Sequence, residues 1–364
     1  MRRHEHPHAH RVQGRSGQEA PRRREGQGPA PAGARRISVD SLPLRLGATG
    51  EAVRDLQRRL ATAGFDPGRV EHGQYGAATE IAVRAFQVAR GLEVTGICDH
   101  QTWTAIVEAG YELGDRLLYL RRPMQRGDDV AELQRRLGLL GFDPGRVDGI
   151  FGPTTAGALT EFQSNAGLPA DGIAGHESVA LLDRLTGHTS STQGVSEVRE
   201  REALRHAPTT LSGRKLAIGE PGGLEVLVRG VHRALALAGA DVIVLQHPDG
   251  SALAAAANAA AAELYLDLAL DDERCHGAYY AATGFESPGG KRLATILDEL
   301  VPPVLGQPLG ASVGMRLAVL RETRMPAVHY AIGPPGDAIP LLPDLALAVS
   351  RGITRWCQQP TAGS

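Results

Sequence analysis

Between Gly50 and Leu182 the chain is written twice. The first copy carries Leu56-Gln57-Arg58-Arg59-Leu60, Gly64-Phe65-Asp66-Pro67-Gly68, Tyr75-Gly76, Phe86-Gln87 and Gly91-Leu92. The second carries Leu133-Gln134-Arg135-Arg136-Leu137, Gly141-Phe142-Asp143-Pro144-Gly145, Phe151-Gly152, Phe162-Gln163 and Gly167-Leu168. An offset of about 77 residues is too long for a stacked solenoid repeat, so the pattern describes a duplicated domain. Within a copy, Val53, Leu56 and Leu60 recur at helical spacing, as do Ala82, Ala85 and Phe86, and a third apolar run surrounds Trp103 and Ile106. Gly64 and Gly141 stand where a helix should end in a left-handed turn, followed by Asp-Pro-Gly turn chemistry. Two all-α three-helix modules are expected, over residues 41–110 and 117–187.

These spaced motifs resemble the peptidoglycan-binding domain attached to cell-wall hydrolases. The second copy carries the resemblance best, with Val147-Asp148-Gly149-Ile150-Phe151-Gly152 and Asp171-Gly172-Ile173-Ala174-Gly175. The resemblance implies that it binds peptidoglycan fragments or precursors through Asp148, Gly149, Phe151, Gly152, Gln163, Asp171 and Gly172. In the first copy, Glu71-His72-Gly73-Gln74 and Thr95-Gly96 replace the two Asp-Gly elements, which marks it as a weaker binder or a spacer. A structural reading competes at most of these positions: Phe86, Phe162, Leu92 and Leu168 as core, and the glycines as turn formers.

A formal net charge of -2 gives no overall attraction to nucleic acid or membranes. Charge is uneven, however. Residues 1–40 are Arg- and His-rich, with His4, His6, His8 and His10 alternating. Such a tract can bind metal, but the segment has almost no apolar residues to pack and reads as a disordered tail. No apolar run there serves as a secretory signal, and none elsewhere as a membrane span. Cys98, Cys275 and Cys357 are odd in number and widely spaced, which suits a reducing compartment, so a cytoplasmic location is expected. Residues 188–212 read as a polar linker, with a short exposed helix over 197–206.

Residues 213–360 alternate strands and helices: strands at 215–218, 241–246, 263–270, 277–282, 317–320 and 327–332, and helices at 224–239, 252–262, 290–300 and 344–356. Alternation of this kind predicts an α/β domain, a mixed sheet covered by helices on both faces. Glu263-Leu264-Tyr265-Leu266-Asp267-Leu268, Gly277-Ala278-Tyr279-Tyr280, and Leu317 to Arg321 with Met325 to Val328 resemble the zinc-dependent N-acetylmuramoyl-L-alanine amidases. These cut the amide between the muramic acid lactyl group and the stem peptide.

That chemistry requires His, Glu and His on zinc and a proton-shuttling glutamate. The resemblance places the two histidines at Gly223 and Ala269, the remaining ligand at Glu220 or Glu225, and the catalytic glutamate at Ala331. Neither glycine nor alanine can bind zinc or move a proton, so no catalytic residue, metal site or cofactor is expected. His329 shares a strand face with Ala331 and is the neighbouring candidate for a rearranged site. Non-hydrolytic relatives within the family imply a regulator of peptidoglycan biosynthesis that works by binding, with a biosynthetic enzyme as a possible partner. The alternatives are an active zinc amidase with a rearranged site, and a wall-binding scaffold in which the modules do everything.

Overall fold

The computed structural model of the protein describes residues 42–68, 73–187 and 194–358. The Arg- and His-rich segment, the Glu71-His72 departure and residues 188–193 of the expected linker lie outside them.

Each copy of the repeat folds into three helices. Module 1 holds α1 (Glu51–Thr62), α2 (Ala77–Arg90) and α3 (His100–Glu108); module 2 holds α4 (Asp128–Leu139), α5 (Pro153–Asn165) and α6 (His176–Thr186). Val53, Leu56, Leu60, Phe86 and Ile106 fill the first core, and Val130, Leu133, Leu137, Phe151 and Phe162 the second. The repeat extends to ring geometry. Phe65 meets Phe86 edge-on at 5.5 Å and Phe142 meets Phe162 edge-on at 5.6 Å. Bundles of roughly 60 residues bury too small a fraction of their surface to be robust alone. Here both rest on the α/β domain.

The chain between the modules is anchored: Arg116 stacks on Tyr111 at 3.7 Å and pairs with buried Asp129 at 2.7 Å. After module 2, helix α7 (Val195–His206) occupies much of the expected linker. Its polar sequence suggested a solvated connector, but Ser196 and Leu204 are buried. Glu200 accepts hydrogen bonds from Ser287 Oγ at 2.6 Å and the Gly289 N–H at 3.1 Å.

The α/β domain runs β1 (Lys215–Glu220), α8 (Glu225–Leu237), β2 (Asp241–Gln246), α9 (Gly250–Ala259), β3 (Leu264–Leu270), β4 (His276–Ala282), β5 (Phe285–Glu286), α10 (Pro288–Leu300), β6 (Val313–Met315), α11 (Ala318–Arg321), β7 (Ala327–Ile332), α12 (Pro335–Ala338) and α13 (Leu342–Gln358). The sheet order is β2-β1-β3-β7-β4-β5, with β6 beside β4. β2, β1, β3 and β7 are mutually parallel and β4 runs antiparallel to β7, so the sheet is mixed as expected.

Side-chain parity divides the domain. Leu216, Leu266, Leu268, Tyr330 and Ile332 point toward α8, α10 and α13, a core closed by Trp356. Ala217, Tyr265, Tyr280 and Ala327 form the opposite face with residues of α9 and α11, and Val147 of module 2 belongs to that same cluster. The expected strand at 317–320 is instead the helical turn α11. A short apolar run carries no period that separates the two structures. As a turn it buries Val319 and Leu320 while Arg321 leaves toward module 1.

Candidate ligand-binding cleft

Four glutamines organise the loops of the tandem modules in the same way. Gln134 Oε1 accepts from the Gly149 N–H at 2.8 Å, and its Nε2 donates to the Ile150 carbonyl and Thr155 Oγ1, both at 3.1 Å. Gln163 repeats this with Gly172, Ile173 and Ser178, Gln57 with Gly73, Gln74 and Thr79, and Gln87 with Gly96, Ile97 and Thr102. The bracket needs a left-handed residue to present its N–H, and Gly149 and Gly172 sit at φ 70° and 69°.

The residues expected to contact ligand are therefore engaged within the module. Asp148 Oδ1 accepts from Gln134 Nε2 and the Ile150 N–H at 2.8 Å each; Asp171 Oδ1 accepts from Gln163 and the Ile173 N–H at 2.9 Å each. Phe151 is core. Gly152 precedes α5 as its cap residue. Asp148 and Gly152 do line a cavity of about 730 Å³ between module 2 and α9, whereas Gly149, Phe151, Gln163, Asp171 and Gly172 do not. Thr95 in module 1 takes over the work of Asp171, accepting from Gln87 and the Ile97 N–H at 3.1 Å each. That departure from Asp-Gly keeps the loop intact.

Burial raises the Asp148 carboxyl above its ordinary value, even though Gln134, the Ile150 N–H, Arg321 and Arg146 pull it down. A raised folded-state value means that ionisation is penalised at neutral pH, and that the penalty is relieved as pH falls through the folded value toward the ordinary one. Asp148→Asn keeps the acceptor oxygen. It is expected to raise the denaturation midpoint at neutral pH and to lose that advantage toward about pH 4. Urea titrations at the two pH values check this, and a lower midpoint for the variant at neutral pH would contradict it.

The loop carrying Asp148 is clamped to the α/β domain. Buried Arg146 donates to the Thr323 carbonyl at 2.6 Å and lies over the Tyr280 ring, whose hydroxyl donates to the Val147 carbonyl at 2.7 Å. Arg321 donates to the Asp148 carbonyl at 2.5 Å and pairs with Glu108 of module 1 at 2.7 Å. Burial opposes the charge of Arg321, but Glu108 more than compensates and holds the guanidinium above its ordinary value. Asp128 receives Arg90 of module 1 at 2.5 Å and Arg316 of the α/β domain at 3.8 Å. Arg126 pairs with Glu322 at 2.5 Å. Sequence reasoning missed all of these contacts, because long-range ion pairs leave no local period.

Where the three domains meet lies a cleft of about 750 Å³, bounded by α3, the Pro248–Leu253 segment, α11 and the sheet residues Asp267 and His329. On neighbouring parallel strands, Asp267 sits opposite His329 and Ala269 opposite Ala331. His329 Nδ1 lies 2.6 Å from Asp267 Oδ2, and Tyr265 donates its hydroxyl to Asp267 Oδ1 at 3.1 Å. His329 lines the cleft, whereas Ala269 and Ala331 do not. Asp267 was overlooked, although a lone carboxylate inside the apolar run Leu264–Leu270 is a signal in itself.

The positions assigned to zinc do not fit a metal. Ala269 carries no donor, and neither does Ala331 at the position assigned to the catalytic glutamate. Gly223 has a left-handed φ of 93°, and a Cβ there would come within 2.9 Å of Leu270. Glu220 is buried with both oxygens engaged, Oε1 by the Leu224 N–H at 2.8 Å and Oε2 by Gln246 at 3.1 Å. Glu225 lies on α8 within 3.5 Å of the same Gln246 amide. Among the described residues no three His, Cys, Asp or Glu side chains come together as a metal-binding group.

A family model described as "Putative peptidoglycan binding domain" matches residues 49–106 and 126–182. The chain is 33% identical to the N-acetylmuramoyl-L-alanine amidase CwlM of Mycobacterium tuberculosis over 337 residues, which span 81% of this chain and 82% of that protein. It is 34% identical to the N-acetylmuramoyl-L-alanine amidase CwlL of Bacillus licheniformis over 163 residues, 39% of this chain and 45% of that one. Among solved structures, the N-acetylmuramyl-L-alanine amidase Ami1 of Mycobacterium smegmatis is similar over 41% of this chain and 98% of its own, at 13% identity and a TM-score of 0.35.

Proposed function

The chain belongs to the N-acetylmuramoyl-L-alanine amidase family, and from that premise we propose that it binds peptidoglycan fragments or precursors without hydrolysing them. The observation that carries this reading is the Ala269–Ala331 pair: the two paired strands that bring Asp267 and His329 to the three-domain cleft hold methyl groups where a histidine and a glutamate would be needed. Amide hydrolysis in this family depends on lowering the barrier by roughly 8 kcal/mol or more through zinc and a proton shuttle, and this cleft supplies hydrogen-bonding groups instead. Binding without turnover suits a regulatory role, in which occupancy of the cleft is passed on to a peptidoglycan-biosynthetic enzyme. A cytoplasmic site of action accompanies that role. Among the described residues no helix is long and apolar enough to cross a membrane.

The test is metal content combined with turnover. A full-length variant with His4, His6, His8 and His10 changed to alanine removes the tail's own metal affinity. After equilibration with zinc and dialysis it is expected to retain far less than one zinc per chain and to release no stem peptide from muropeptides. Retention of about one zinc per chain with peptide release would overturn the reading in favour of an active amidase.

A further inference from the structure

We propose that His329 is the hydrogen-bond acceptor that reads the ligand in the three-domain cleft, and that the cleft admits a phosphate-free peptide–sugar fragment in preference to a diphosphate-linked precursor. The inference rests on the binding role proposed above and adds the group that reads the ligand and the class of ligand admitted.

The first half follows from how the imidazole is held. Asp267 lies behind the ring with its side chain 6% exposed, while that of His329 is 21% exposed and lines the cleft. Burial and the adjacent Asp267 raise the Tyr265 phenol, so its hydroxyl stays protonated and donates to the carboxylate. The 2.6 Å contact holds Nδ1 against Asp267 and leaves Nε2 as the ring nitrogen free for a ligand, and in the neutral Nδ1–H tautomer that this proposal assigns, Nε2 is an acceptor. Both residues stand on directly paired strands, which fixes their separation more firmly than loops would. The result is an acceptor whose orientation is set from behind before any ligand arrives. Amide N–H and sugar O–H groups are the donors that match it.

The second half follows from charge. The lining contains seven carboxylates and four arginines. Each arginine is already paired: Arg90 and Arg316 with Asp128, Arg126 with Glu322, and Arg321 with Glu108. The N-termini of α3 and α9, which could also attract an anion, are capped by Asp99 and Asp249 through the Thr102 and Ser251 N–H groups at 2.7 and 2.8 Å. A diphosphate entering this site would meet an excess of like charge, and every guanidinium it could reach already has a carboxylate partner to compete with it.

Calorimetric titration of the full chain at about 50 mM salt, where surface charges are weakly screened, decides the matter. The probes are N-acetylmuramoyl-L-alanyl-D-isoglutamine and UDP-N-acetylmuramoyl-pentapeptide. The first is expected to bind, and the second to bind at least about tenfold more weakly. His329→Ala should weaken the first by about tenfold, the usual worth of one well-made hydrogen bond, and His329→Gln, which retains an acceptor, by less. Nitrogen-15 NMR of the wild-type imidazole should show an unprotonated Nε2 at neutral pH whose resonance moves on adding the fragment. Should His329→Ala fail to fold, the glutamine variant and the NMR shift carry the comparison. Unchanged affinity in the His329 variants, a protonated Nε2, or equal binding of both probes would overturn this inference while leaving the binding role standing. Failure of both probes to bind wild-type protein would instead overturn the binding role itself.

Discussion

Arg321→Ala is expected to release module 1 from the α/β domain and to be the most damaging single change at the junction. Arg321 and Glu108 are 8% and 5% exposed, and their pair spans two domains. Removing one member of a buried pair leaves the other charge uncompensated, at a cost of about 3–5 kcal/mol. The change also strips the Asp148 carbonyl of its hydrogen bond from the Arg321 Nε. Cleavage should appear within residues 109–127 on limited proteolysis, because that stretch is held partly by the docked modules. The thermal transition should fall and split, since domains that undock no longer unfold together. The double variant Arg321→Met with Glu108→Leu should recover most of the loss, as buried pairs replaced by apolar groups of similar volume commonly do. An unchanged proteolytic pattern in Arg321→Ala would show that the pair is a bystander.

Gln134→Leu is expected to be nearly as costly, although the substitution changes little in volume. It strands the Asp148 and Gly149 N–H groups and takes one partner each from the Ile150 carbonyl and the Thr155 hydroxyl, which keep the Gly152 N–H and the Pro144 carbonyl. A buried group left unsatisfied costs about 1–3 kcal/mol, so a total of about 3–5 kcal/mol is expected where some groups find water. Gln163→Leu breaks the equivalent bracket at Gly172, whose neighbour Asp171 is exposed. It should cost less, because water can serve that loop. Urea midpoints of the two variants measure the difference; equal effects would deny the Asp148 loop its additional role in docking.

These contrasts show what the residues disclosed in advance. Helical spacing at Leu56 and Leu133 and the duplicated Phe-Gln pairs announced the modules, because amphipathic packing writes a period into the chain. Strand β7 matched its expected span of Ala327–Ile332, since it is buried on both faces and reads as a continuous apolar run. Asp148 was read as a ligand contact, and its hydrogen bonds to Gln134 and the Ile150 N–H, which close the loop, were not legible in the motif. Arg146, Arg321 and Asp128 act across separations of up to 213 residues in sequence. Nothing local prepares for such contacts. His329 was reachable by strand parity, but the carboxylate behind it required the register of β3 against β7.

The docking of both modules has a consequence for valency. Two binding modules on slack tethers gain avidity on a polymer, because each bound module holds its twin at high effective concentration near the next site. That gain requires the tether to explore, and here it cannot: Arg90 and Arg316 converge on Asp128, and Arg116 pins the connecting segment to Asp129. On the binding role proposed above, modules fixed in this way give up that gain on a long polymer, so affinity for small fragments should be nearly insensitive to how many copies are linked in a strand.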